Sequence, residues 1–75
     1  MARIDAVFQH NDGYKYNLVY STAKKFLSSV ARLRDSVFLH AVDYEKQMVI
    51  YPSTLGDYRY NVNHLDRHSL RSGLK

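Results

Sequence analysis

The 75-residue sequence predicts a small domain of the α+β class: a mostly antiparallel sheet in the order ββαβββ, with one amphipathic helix packed on one face. Three observations carry this. Apolar and polar residues alternate on both sides of Asn11-Asp12-Gly13, which marks a hairpin. A single stretch beginning at Ala23 repeats its apolar residues at helical spacing. Beyond it, residues 37–44, 48–51 and 58–62 return to β-branched and aromatic composition.

The register of the first hairpin follows from asking which loop sorts the side chains by face. A two-residue loop at Asp12-Gly13 pairs Phe8 with Asn17 and mixes polar with apolar groups on both faces. A three-residue loop, with Gly13 in the left-handed conformation of a bulge, pairs Phe8 with Tyr16, Ala6 with Leu18 and Ile4 with Tyr20. Ile4, Ala6, Phe8, Tyr14, Tyr16, Leu18 and Tyr20 then share one face. Asp5, Gln9, Lys15 and Asn17 share the other with Val7 and Val19.

Ser21 and Thr22 precede the helical stretch as N-cap residues, and Ala23, Phe26, Leu27, Val30, Ala31 and Leu33 form its apolar stripe. The spacing predicts a helix of about 13 to 15 residues, roughly 20 Å long, ended by Asp35-Ser36. Residues 37–44 and 48–51 flank Glu45-Lys46-Gln47 as a second hairpin, whose register stays open because the turn has no glycine. Pro52 ends the fourth strand, and Tyr58, Tyr60 and Val62 alternate with Arg59 and Asn61 as a fifth. Residues 1–63 form one α+β domain and 64–75 a basic tail or short helix.

Size and composition bound the function. At 8.8 kDa the chain can bury only about 60% of its open surface, which excludes a second domain or a large catalytic cleft. It has no cysteine, so disulfides and thiolate metal sites are out and a cytoplasmic setting is expected, in the host cell if the protein is viral. The longest apolar runs are about four residues, against roughly 20 for a bilayer span, and no membrane partner is expected.

The charge is unevenly placed. Residues 21–34 carry Lys24, Lys25, Arg32 and Arg34 and no acid, while residues 35–63 are net acidic. Lys24, Ser28 and Arg32 fall at i, i+4 and i+8, one basic stripe opposite the apolar one. Cations at Arg32 and Arg34 suit the helix C-terminus; Lys24 and Lys25 oppose the dipole in the first turn, unless an anion meets them there. The plainer reading of both is solvated lysines on a polar face. Arg67, Arg71 and Lys75 add positive charge in the tail.

Tyrosine accounts for seven residues and is twice interleaved with base or amide, as Tyr14-Lys15-Tyr16-Asn17 and Tyr58-Arg59-Tyr60-Asn61. Such rings can stack unpaired bases, but the hairpin register sends Tyr14, Tyr16 and Tyr20 to the face beneath the helix. His64 and His68 have chelating spacing without a third ligand, so no metal, cofactor or catalytic residue is assigned.

The leading expectation is a non-enzymatic binding module that engages an acidic surface, foremost nucleic acid or a nucleoprotein complex. Lys24, Lys25, Ser28, Arg32, Arg34, Arg67, Arg71 and Lys75 would make the contacts. A second expectation is an inhibitor that docks on a host protein through Tyr44, Tyr51, Tyr58 and Arg59. In size and composition alone, the chain is similar to small phage or mobile-element proteins that block host machinery. A third is RNA cleavage by His40 or His10 beside Arg59. A homodimer is also expected, because an open sheet face or edge asks for cover.

Overall fold

The described residues hydrogen-bond into four strands whose order departs from their order in sequence. The computed structural model describes residues 2–62. Strands β1 (Ile4–His10) and β2 (Lys15–Tyr20) are followed by helix α1 (Ala23–Ala31), then β3 (Ser36–Asp43) and β4 (Met48–Ile50). A 3-10 turn, Pro52–Thr54, leads into helical residues 55–62, here called α2. The sheet order is β2-β1-β3-β4 and every neighbouring pair is antiparallel. The α+β class is therefore as predicted, and β2 and β3 run parallel to each other on either side of β1, joined by α1.

The first hairpin has the predicted register, with Ile4 opposite Tyr20, Ala6 opposite Leu18 and Phe8 opposite Tyr16. Gly13 has φ +96°, a conformation that costs any residue with a Cβ. The His10 amide donates to Tyr14 O at 2.8 Å, and Asp12 Oδ1 accepts from the Tyr14 amide at 2.9 Å. The Asn11 amide donates to Asp35 O at 2.8 Å, tying this turn to the connection that enters β3.

Helix α1 starts as predicted, with Thr22 Oγ1 accepting from the Lys25 amide at 3.1 Å. It ends four residues before Asp35, however. Arg32 takes ψ 3°, its amide donates to Ser29 O at 3.1 Å and the Leu33 amide to Val30 O at 3.3 Å, the tightened i→i−3 geometry of a helix end. Residues 32–35 leave the helix to reach the Asn11 contact, and extended chain gives more reach per residue than helix. Ala31, assigned to the apolar stripe, is exposed.

The predicted fifth strand is a helix. Leu55, Tyr58 and Val62 lie at i, i+3 and i+7 and bring one side of α2 against the core, while Arg59, Tyr60 and Asn61 face outward. Pro52 opens the 3-10 turn that leads into these residues, where a proline's missing amide costs nothing. The predicted tail, 64–75, lies outside the described residues.

The core lies on one face of the sheet. Ile4, Ala6, Phe8, Phe38, Ala41 and Ile50 supply it from the strands, Phe26 from α1 and Tyr58 from α2. Phe26 is at its centre, with ring centroids 5.5 Å from Phe38, 5.6 Å from Tyr20 and 6.0 Å from Tyr58. The tyrosines beneath α1 bury their rings and keep polar tips: Tyr16 donates to Ser36 Oγ, and Tyr20 shares a hydrogen bond with Ser29, both at 2.7 Å. Tyr14 lies beyond the helix and is exposed, stacked on Tyr16. The opposite face carries no helix among the described residues.

The second hairpin closes through Asp43 and Gln47. Asp43 pairs with Met48, and its Oδ1 accepts the Glu45 and Lys46 amides, each at 3.0 Å. Gln47 turns the chain with φ 53° in place of a glycine. In β3 the register shifts between the partners of Val7 and Phe8, leaving Leu39 as a bulged residue.

Candidate functional site

The cap at Thr22 and the burial of Phe26 fix the rotation of α1, and with it the residues that reach solvent. Lys24, Lys25, Ser28 and Arg32 are exposed, and with Ser29 and Leu33 they line one shallow depression on the outer side of the helix. From Lys24 to Arg32 the row extends about 12 Å along the axis. The first helical turn contains no acid. Among the described residues Arg3 pairs with Asp5 and the His10 ring lies against Asp12, so neither of these carboxylates neutralises this row. Lys25 Nζ donates to Ser21 Oγ at 3.4 Å, which draws its charge toward the start of the helix.

Arg34 does not belong to that row. Because α1 ends early, Arg34 lines a separate recess beside the first hairpin turn with Gln9, His10, Asn11, Gly13 and Asp35. In the same turn, outside the recess lining, the Asp12 carboxyl is held below its ordinary range, chiefly by the Tyr14 amide that donates to it. Arg67, Arg71 and Lys75 lie outside the described residues, as do His64 and His68.

The residues assigned to a protein interface divide. Tyr44 and Tyr51 are exposed, the first beneath the Arg3 guanidinium at 5.3 Å and the second 6.4 Å from the His40 ring. Arg59 is exposed on α2. Tyr58 is only 2% exposed, so it cannot anchor a partner. As a strand residue it would have alternated outward; as a helix residue it points into the core, where its hydroxyl meets Asp43.

Neither His10 nor His40 is brought beside Arg59. His40 stands on the open sheet face opposite Val7, and His10 caps the far end of β1 next to Asp12, whereas α2 packs on the covered face. Among the described residues, no three histidine, aspartate or glutamate side chains gather as metal ligands, and no helix is long and apolar enough to cross a membrane.

The open face was only partly visible in sequence. Val7 and Val19 were placed there, and alternation in β3 and β4 adds Val37, Val42 and Val49, of which Val37 and Val49 are exposed along with Val19. A recess between Asp5, Lys15, Asn17 and His40 crosses this face. Comparison with known proteins adds no relative: no family model, no curated protein and no solved structure matches the chain.

Proposed function

We propose that the protein is a binding module for nucleic acid, with the outer side of α1 as its contact surface. The observation that carries this reading is the exposed row Lys24, Lys25 and Arg32, interrupted by no carboxylate and paired with none among the described residues. Ser28 lies exposed within the same depression as a hydroxyl donor, whereas the Ser29 hydroxyl is engaged with Tyr20. Lysine and arginine supply salt-dependent phosphate attraction, and hydroxyls supply short hydrogen bonds that fix register without reading bases. The tail cations Arg67, Arg71 and Lys75 extend the same chemistry along the chain. In this reading no residue is catalytic.

The test is fluorescence anisotropy of labelled single-stranded DNA, duplex DNA and RNA, from about 50 to 200 mM salt. Log affinity falls linearly with log salt, and the double variant Lys24→Glu, Lys25→Glu loses binding while keeping its circular dichroism spectrum. A folded double variant that binds as well as the parent removes α1 from the contact.

A second reading rests on the other face. Val19, Val37, Val49, Tyr44 and Tyr51 are exposed together, which favours a protein partner such as a host enzyme that the chain would inhibit. Capture of one partner that survives nuclease and moderate salt, and is lost in Tyr51→Ala, would support this over the helix reading.

A further inference from the structure

We infer that two copies of this chain associate through the edge of β2, which pairs with no further strand among the described residues, making one continuous eight-stranded sheet. The inference is independent of the nucleic-acid reading, because it rests on which backbone groups the sheet leaves unused.

The hydrogen-bond phase of the sheet is set at the first turn. The His10–Tyr14 bond makes that pair a bonded one, and bonded pairs recur at every second residue of an antiparallel ladder. Tyr16, Leu18 and Tyr20 therefore turn their backbone groups toward β1, while Lys15, Asn17 and Val19 turn theirs outward. The opposite side of β1 has the matching phase: Arg3 O accepts from Tyr44 and the Asn11 amide donates to Asp35 O, so its odd-numbered residues serve β3. By the same phase, Ala41 and Asp43 serve β4, which leaves Val49 facing out within that strand.

The two edges thus differ in kind. β4 is three residues long, offers one outward residue and runs into Pro52; the Tyr51 amide beyond it is already taken by Thr54 Oγ1 at 3.0 Å. Short length and proline are the usual means of blunting an edge. β2 is six residues long, with no proline or bulge in its pairing, and offers three outward residues in succession.

A second copy fits this edge in a specific register. A two-fold axis at Asn17 uses all three outward residues, setting Lys15 against the partner's Val19 and Asn17 against the partner's Asn17. The one charge on the strand then opposes a valine instead of its own copy, and facing asparagine amides can bond to each other. On the covered face, Leu18, 45% exposed, meets the partner's Tyr16, so an apolar side chain left uncovered in the single chain gains an aromatic neighbour. An axis perpendicular to the sheet keeps both α1 helices on the same side, and with them both basic rows.

The full chain has no cysteine, which permits a clean test by introducing one. Bonded antiparallel partners have Cα atoms about 5.5 Å apart, within disulfide range. Under oxidised glutathione and without nucleic acid, Asn17→Cys should cross-link into dimers, and the exposed control Ser53→Cys should not. Light scattering should give twice the 8.8 kDa chain mass for the parent. Asn17→Pro removes an outward amide that no strand among the described residues uses, so it should restore the single-chain mass with the circular dichroism spectrum retained. A parent that stays monomeric at its highest soluble concentration, or a dimer that Asn17→Cys cross-links no better than the control, would overturn the inference. The cross-link decides the matter even if the proline variant fails to fold.

Discussion

The Tyr58 hydroxyl donates to Asp43 Oδ2 at 2.9 Å, joining α2 to the end of β3 across the core. The other oxygen of the same carboxylate holds the turn between β3 and β4, so one side chain fixes both a hairpin and a helix. Asp43 is 3% exposed and is the buried charged residue among those described. Its burial is tolerable because three donors surround it.

Removing the two partners should cost unequal amounts. Tyr58→Phe deletes one hydrogen bond to a carboxylate, worth about 1.5–3 kcal/mol. Asp43→Ala deletes three and leaves the Tyr58 hydroxyl unpartnered, for a loss of more than about 3 kcal/mol. Urea unfolding midpoints rank the two variants, and an equal cost would mean that the turn does not depend on Asp43.

Alkali should unfold the protein by way of Tyr58. Burial first, and then the bond to Asp43, push its phenol well above the ordinary tyrosine value of 10.0. The folded chain therefore keeps a proton that the unfolded chain releases, so this stabilisation is full below about pH 10 and is lost as pH rises further. Unfolding midpoints measured from neutral to strongly alkaline pH should show the fall, and Tyr58→Phe should flatten it.

Gly13, in the first hairpin turn, and Gly56, in α2, should respond oppositely to alanine. Neither Gly13 nor Gly56 has a heavy atom within 4 Å of an added Cβ, so space decides nothing. Gly13 has positive φ, and alanine there should cost about 1 kcal/mol. Gly56 lies in α2 without that requirement, and alanine should stabilise by about 0.5 kcal/mol. Thermal melts of both variants read the sign directly.

Arg32 and Arg34 should separate in binding although they are two residues apart. Arg32→Ala should weaken nucleic-acid affinity and lower the salt slope by about 1, since one phosphate contact is lost. Arg34→Ala, on the recess beside the first turn, should leave the slope unchanged. Equal effects would place the contact surface at the end of the helix instead of along it.

The first hairpin was legible because face sorting and a left-handed glycine agreed on one loop. The second was not, since a buried aspartate and a glutamine with positive φ stand in for the turn residues that sequence rules look for. Residues 58–62 satisfy a two-residue alternation, but Leu55, Tyr58 and Val62 also satisfy a helical one, and the helix prevails because Asp43 gives the Tyr58 hydroxyl a buried acceptor. The proline three residues before Leu55 was the local sign of a helical start. The basic row was readable from spacing alone up to Arg32. The loss of Arg34 from it depended on a tertiary bond, between Asn11 and Asp35, that no local pattern encodes.

The position of β1 has a consequence for how the chain assembles. The earliest of the four strands in chain order is an interior strand, with β2 added to one side, β3 to the other and β4 beyond it. Each later strand can therefore join an edge that already exists, and none has to be inserted between two that are already paired. The hairpin of β1 and β2 closes locally, whereas pairing of β3 with β1 spans the whole α1 connection and carries the larger loop-closure cost. Ile4, Ala6 and Phe8 gain their full cover only when Tyr58 of α2 joins Phe26 of α1 over the sheet, so a nascent chain halted before Asp43 would leave part of that apolar strip open to chaperones.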